Sequence, residues 1–248
     1  MINKPRRFIA VSDSHGDMID PDSERAVFEF IKDFKPEIRC HLGDAFDFRS
    51  LRRGASDEER SEGLEDDWRM GSDFLRKFFD GGKENHFLRG NHDERLWRIE
   101  DSTTGLVRDY ARDGIKRFNQ LMSRCKARVL PYDARLGVLR LGRLKCIHGY
   151  AAGVGATAKH ARSFGCVIHG HTHVIEVAAV DSDEGPREAR AIGALCKIDM
   201  PYNSHHLGKL RHSNGFAYGY LFENGDYQIF QARKINGRFY AASDIKVY

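Results

Sequence analysis

Five times along this chain a short apolar run stops at a cluster of polar residues. Residues 7–11 lead to Asp13-Ser14-His15, 38–42 to Gly43-Asp44, and 87–88 to Gly90-Asn91-His92-Asp93. Further on, residues 144–147 lead to His148-Gly149 and 166–168 to Gly170-His171-Thr172-His173. Short apolar runs bounded by turn residues read as buried strands. In open α/β sheets the carboxyl ends of strands converge on one crevice, so five strand-end clusters predict one shared site.

The segments between the runs support such a sheet. Ala26, Val27, Phe30, Ile31 and Phe34 recur at helical spacing up to Pro36, and Leu64, Trp68, Phe74, Leu75, Phe78 and Phe79 do so up to Gly81-Gly82. Strand, helix, strand, helix, strand is the pattern of a parallel sheet with covering helices. Residues 93–126 read as mostly helical, with Leu106, Val107, Tyr110, Ile115, Phe118, Leu121 and Met122 on the apolar face. After residue 128 short strands dominate, interrupted by one helix over about 154–163. With no repeat and no Pro/Gly/Ser linker, residues 1–248 read as one domain. It has a helical insertion around 93–126 and a strand-rich part, 175–248, that completes a second sheet.

Composition narrows the function classes. Charged residues make up 31% of the 248-residue chain and hydrophobic ones 41%, which argues against disorder. The longest apolar stretches, such as 177–180, fall far short of the ~20 residues that span a bilayer, so no membrane partner is expected. Asp13, His15 and Asp17 interrupt the amino-terminal apolar run too early for a signal peptide. Cys40, Cys125, Cys146, Cys166 and Cys196 are scattered without a CxxC pair, which predicts reduced thiols and a cytoplasmic protein. The net charge of +4 is a mild bias toward anionic partners.

Asp13/His15 and His171/His173 share an i, i+2 spacing that places both side chains on one side of an extended backbone. Aspartate, imidazole and one amide suit borderline divalent metals, and no thiolate joins them in the sequence pattern. Two Asp, one Asn and four His fill two metal sites if one carboxylate bridges, and Asp44, behind a Gly turn, is the best bridge.

In this order the blocks resemble the signature of the calcineurin-like metallophosphoesterases, over residues 8 to about 175. The resemblance implies a four-layer α/β/β/α sandwich with two central mixed β-sheets. It implies one metal held by Asp13, His15, Asp44 and His173, and another by Asp44, Asn91, His148 and His171. The two divalent ions, Mn, Fe, Zn, Ni or Co, would bind and activate a bridging hydroxide that attacks a phosphate ester. His92 would assist the leaving oxygen, with Asp47 orienting it, and Asp93 is expected to cap the helix that follows. The phosphoprotein-phosphatase branch has an arginine where this chain has Phe48, which argues against a phosphoprotein substrate, and the second-half blocks with Gly90-Asn91-His92-Asp93 resemble the phosphodiesterase and nuclease branches more, so a phosphodiester substrate is favoured. A phosphomonoesterase, a nuclease of the same fold and a non-catalytic binding module are the alternatives.

Arg49, Arg52 and Arg53 are candidates to grip phosphate, and the basic segments 49–53 and 209–212 make nucleic acid a candidate substrate. The glycine-rich stretch 149–155 is expected to be a loop at the metal site, and the His-rich segment 203–212 a candidate lining of the entrance. His41, His86, His160 and His169 have no motif partner and read as structural.

Overall fold

The computed structural model describes residues 4–183, 185–198 and 211–241. The chain opens with β1 (Arg6–Val11), α1 (Pro21–Phe34) and β2 (Ile38–His41). The short α2 (Asp57–Ser61), α3 (Glu65–Phe79) and β3 (Glu84–Leu88) follow. Sequence dictates these bounds locally. Asp20 caps α1, its carboxylate accepting from Ser23 N at 2.9 Å, and Pro21 starts the helix where no N–H partner is needed. α3 ends at Asp80, before the two glycines.

α4 (Arg95–Ser102) and α5 (Gly105–Arg124) fill the segment expected to be helical. Leu96 of α4 and α5 from Ala111 onward engage the core; Leu106, Val107 and Tyr110, expected on the buried face, are exposed. The remaining strands are β4 (Ala127–Leu130), β5 (Leu139–Leu141), β6 (Leu144–Ile147), β7 (Val167–His169), β8 (Ile175–Val180), β9 (Arg187–Ile192), β10 (Gly215–Leu221), β11 (Tyr227–Ile235) and β12 (Arg238–Tyr240), with α6 (Ala156–Phe164) between β6 and β7.

The strands form a seven-stranded sheet, β12-β11-β10-β1-β2-β3-β4, and a five-stranded sheet, β5-β6-β7-β9-β8. β1 to β4 run parallel, as do β6, β7 and β9, so both sheets are mixed. The expectation that 175–248 completes the second sheet needs correcting: β8 and β9 do so, whereas β10 to β12 extend the first. β10 pairs with β1 in antiparallel register, Arg6 opposite Leu221 through Ala10 opposite Ala217. Its alternation explains the choice. Phe216 and Tyr218 pack in the cluster that includes α1, while Ala217 packs in the cluster between the sheets. A strand apolar on both faces belongs inside a sandwich, and here it covers the open edge of β1.

Three apolar clusters separate four layers. One joins α1, α3 and α5 to the first sheet, a second fills the space between the sheets, and a third seats α6 on β6, β7 and β9. The α/β/β/α sandwich is thus present.

Candidate metal centre

Each strand-end cluster sits at the carboxyl end of a parallel strand: β1, β2 and β3 in the first sheet, β6 and β7 in the second. Hydrogen bonds lock these ends together, within each sheet and between the two. Asp13 N donates to Gly43 O at 3.0 Å, His15 N to Asp44 O at 3.0 Å, and Gly170 N to His148 O at 2.8 Å. His171 N reaches from the second sheet to Asp13 Oδ2 at 2.9 Å. Close approach requires glycine at two points. A Cβ on Gly90 would lie 2.1 Å from Asp44 Oδ1, and one on Gly170 would lie 1.9 Å from Ser12 Oγ.

The extended backbone expected for the i, i+2 pairs is not what the chain adopts. Asp13, His15, Asp44, His171 and His173 have φ of 55, 50, 53, 66 and 54°, all left-handed. For non-glycine residues this costs roughly 1–2 kcal/mol each, and it persists only where surrounding contacts over-determine it. The strands end before these residues, and tight turns, not pleats, aim the side chains.

The turns bring together the residues expected as ligands. His15 Nε2 lies 3.3 Å from His173 Nε2, and His173 Nε2 lies 3.3 Å from Asp13 Oδ1. Alongside, His148 Nε2 lies 3.0 Å from Asn91 Oδ1 and 3.3 Å from Asp44 Oδ2. The His171 ring stands against His148, centroids 5.2 Å apart. Ligand atoms of Asp13, His15 and Asp44 cluster within 4.8 Å, and so do those of Asp44, His148 and His171, with Asp44 common to both groups.

The donor set fits divalent cations on two counts. Asp13 Oδ1 is buried without a hydrogen-bond partner. Three imidazoles are also held from behind: His15 Nδ1–H donates to Asp47 Oδ1 at 3.3 Å, His148 Nδ1–H to Leu42 O at 2.9 Å, and His173 Nδ1 faces Cys196 Sγ at 3.9 Å. Such partners fix tautomer and ring, leaving Nε2 toward the cluster, as metal-ligating histidines require.

Cys196 corrects the expectation that no thiol joins the cluster. It lies just beyond β9, which is parallel to β7, so the strand-end rule applied here too; Gly193-Ala194-Leu195 around it offered no polar signal. Burial pushes its thiol up to about 12.

Electrostatics bind the cluster. Burial opposes charge throughout, yet His173 and His148 hold the Asp13 and Asp44 carboxyls below the usual range. Conversely, despite burial, Asp47 raises His15 to about 10 and Asp44 raises His148 to about 9. His171 goes the other way, lowered to about 4 by burial and the neighbouring His148 charge.

Beside this cluster, His92 Nδ1–H donates to Asp47 Oδ1 at 2.7 Å, so Asp47 holds both His15 and His92. His92 Nε2 lies 3.9 Å from Asp44 Oδ2 and 3.3 Å from Arg95 Nη2. Burial lowers the His92 pKa against the pull of Asp44 and Asp47. Asp93 does not cap the following helix. Its buried carboxylate instead accepts from Asp44, Ala45, Phe46 and Gly90 N at 2.8, 3.1, 3.2 and 2.9 Å. Burial, with the Asp44 charge, pushes this carboxyl up to about 7. Asp67 on α3 does the same for Asp47, accepting from Asp47 N and Phe48 N at 3.1 and 2.7 Å.

Sequence reading missed Arg95, Asp67, Cys196 and the scaffold role of Asp93. Arg95 alone had a local signal, three residues after His92 where a helical turn brings side chains together. Phe48 is core, stacked on Phe46 at 5.2 Å and tilted against Trp68 at 5.0 Å.

A cleft of about 440 Å³ opens over the cluster, walled by Arg49, Arg52, Arg95 and His212. Arg49 is gripped by Asp17 at 2.6 and 2.8 Å and by Glu62, and Arg52 pairs with Glu59 at 2.6 Å; Arg53 is outside the lining. The 149–155 stretch is likewise outside it. Residues 203–210 of the His-rich segment lie outside the described residues; Arg211 pairs with Glu176 at 3.4 Å. His41, His86, His160 and His169 stand outside the cluster, His41 bonded to Ser14 Oγ at 3.1 Å and His160 accepting from Tyr150 N at 3.0 Å.

No family model matches the chain. The gene 54 protein of Mycobacterium phage D29 is 31% identical over 185 residues, 68% of this chain and 69% of that one. Among solved structures, a single mutant of Vps29 from Entamoeba histolytica is 13% identical with a TM-score of 0.49, over 94% of this chain and 96% of that one. A structure titled as a novel archaeal phosphodiesterase is 16% identical with a TM-score of 0.45, over 91% and 99%. YfcE, titled a phosphoesterase from E. coli, is 13% identical with a TM-score of 0.39, over 90% and 98%. Among the described residues no helix is long and apolar enough to cross a membrane.

Proposed function

The chain has the calcineurin-like metallophosphoesterase fold and belongs to the family of the gene 54 protein of Mycobacterium phage D29, and we propose that it is a dinuclear metal-dependent phosphodiesterase. The observation that carries this reading is Asp44, shared by two groups of ligand atoms. Asp13, His15, Asp44 and His173 would hold one divalent cation, and Asp44, Asn91, His148 and His171 the other. Two such cations supply Lewis acidity to the phosphate oxygens and a nucleophile drawn from water.

The chain's own groups do the rest. Asp47 fixes His92 through Nδ1, which leaves Nε2 to protonate or stabilise the departing ester oxygen. Arg95, beside that nitrogen, orients a phosphate oxygen next to the leaving group. A diester is favoured over a monoester because Arg49 and Arg52 are already paired with carboxylates, so the cleft offers limited compensation for a second substrate charge. All five cysteines are free, which supports a cytoplasmic protein.

The test is hydrolysis of bis(nitrophenyl) phosphate against nitrophenyl phosphate by protein loaded with Mn. The expected outcome is faster diester turnover. A faster monoester would transfer the reading to a phosphomonoesterase, and two bound metals with no turnover of either would make the chain a binding module.

A further inference from the structure

Parallel strands have two ends, and the end of the first sheet away from the cleft is strongly basic. Two hollows of about 750 and 700 Å³ lie there and meet at Gly81. Eleven basic and three acidic side chains line them, a surplus of eight against a net charge of +4 for the whole sequence. The rest of the chain is therefore net negative, and the positive charge is concentrated on this face.

Helix ends explain part of this. α1, α3 and α5 all terminate here, and Lys32, Arg76, Lys77 and Arg124 offset their carboxyl-terminal dipoles. Lys4, Arg6, Arg7, Lys83 and Lys126 belong to no helix and have no such role. Among the described residues Lys4, Arg7, Lys32, Lys35, Arg124 and Lys126 have no carboxylate partner. Where the hollows meet lies Arg39, 6% exposed, its Nη1 donating to Phe78 O at 2.7 Å and to Asp80 O, with the Asp80 charge nearby, and its Nε without a partner. Burying a guanidinium under an already positive surface is costly unless an anion offsets it.

We propose that this face binds the phosphate backbone of duplex nucleic acid. Arg6 opens β1, Lys83 precedes β3 and Lys126 precedes β4, while Glu37 precedes β2; Arg6 pairs with Glu84 at 2.5 Å and Lys83 with Glu37 at 2.8 Å, so cations recur at three of the four amino-terminal strand ends. From β1 to β4 that edge spans about 14 Å at ~4.8 Å per strand. A row of cations suits a polymer with regularly repeated charge. The apolar residues in the lining, Phe79 and Cys125, are buried, and Ile31 is half-buried, so among the described residues the lining offers no exposed apolar wedge for a membrane and no aromatic platform for unpaired bases. Recognition is of phosphates, independent of base sequence.

The test is fluorescence anisotropy with a labelled duplex of about 20 base pairs and metal-free protein in EDTA, at about 50 mM salt and above. Metal-free conditions silence the cleft chemistry, so failure of the phosphodiesterase reading leaves this result unaffected. The wild type should bind, with affinity falling steeply as salt rises. Lys32→Glu/Lys35→Glu/Lys126→Glu should bind at least about tenfold more weakly, with a salt slope smaller by about two to three. It should also melt cooperatively within a few degrees of the wild type, the small loss coming from Lys32 at the carboxyl terminus of α1, and hydrolyse the nitrophenyl diester unchanged. The charge-neutral Lys→Gln triple variant, expected to be intermediate, guards against misfolding of the first. No binding by the wild type, undiminished binding by both variants, or equal displacement by polyglutamate or by anionic vesicles would overturn the proposal.

Discussion

The two ends of the first sheet are built on opposite plans. At the carboxyl ends of β1, β2 and β3 the charged residues are buried, of both signs and held in left-handed backbone by bonds from other loops. At the amino ends the charges are mostly exposed, mostly of one sign, and several are unpaired among the described residues. The first arrangement fixes positions at a cost in strain; the second fixes only a field. A change at the carboxyl end should therefore alter chemistry and stability, whereas one at the amino end should alter long-range attraction alone.

The largest expected effect is at the shared carboxylate. Asp44→Asn should lose both metals and at least about a thousandfold in diester turnover; elemental analysis finding both metals retained would break the shared-ligand reading. His92→Asn should keep its metals and lose about 10²- to 10⁴-fold on an alkyl or nucleoside ester. It should lose far less on a nitrophenyl ester, whose leaving group needs no proton. Equal slowing on both esters would remove His92 as leaving-group acid.

Next comes pH. In metal-free protein His148 is raised to about 9 and His15 to about 10, above the unfolded value near 6.5. Their stabilisation is fully present below pH 6.5 and lost as pH rises through 9 to 10, amounting to about 3 kcal/mol for His148. Thermal melts should fall across that window, and saturating divalent cation, which takes imidazole in its neutral form, should flatten the curve. A flat metal-free curve would mean that the buried ion pairs do not hold the cluster together.

Asp93→Asn tests the scaffold. An amide would turn an N–H toward backbone donors now satisfied by carboxylate, costing about 1–3 kcal/mol in unfolding free energy. The smallest effect belongs to the other end: Lys35→Glu should change stability by less than about 0.5 kcal/mol and leave diester turnover alone. A large effect there would erase the contrast between the ends.

Much of the carboxyl end was legible from sequence, because each cluster announces itself locally. Apolar runs at strand length, a glycine and one to three polar residues mark Asp13, His15, Asp44, Asn91, His92, His148, His171 and His173 without any long-range knowledge. Asp47 was legible only through family resemblance. What supports these residues was not legible, for a physical reason. Asp67 lies 20 residues from the amide it accepts, and Asp93 lies 49 from Asp44. Pairings across such separations leave no period in the sequence.

By itself, then, the sequence determined which side chains gather at one site, since strand ends and glycine turns are local properties of the chain. Tertiary structure decided how they are held. Left-handed turns replaced the pleat that the spacing suggested, Cys196 came in beside His173 from a strand with no polar marker, and Arg95 turned onto His92. It also sent β10 to the edge of β1, where a strand apolar on both faces is covered on both. Finally, it gathered cations from the amino terminus, three helix ends and three strands onto one face, because a charge pattern spread over more than a hundred residues becomes a surface only when the sheet sets its ends side by side.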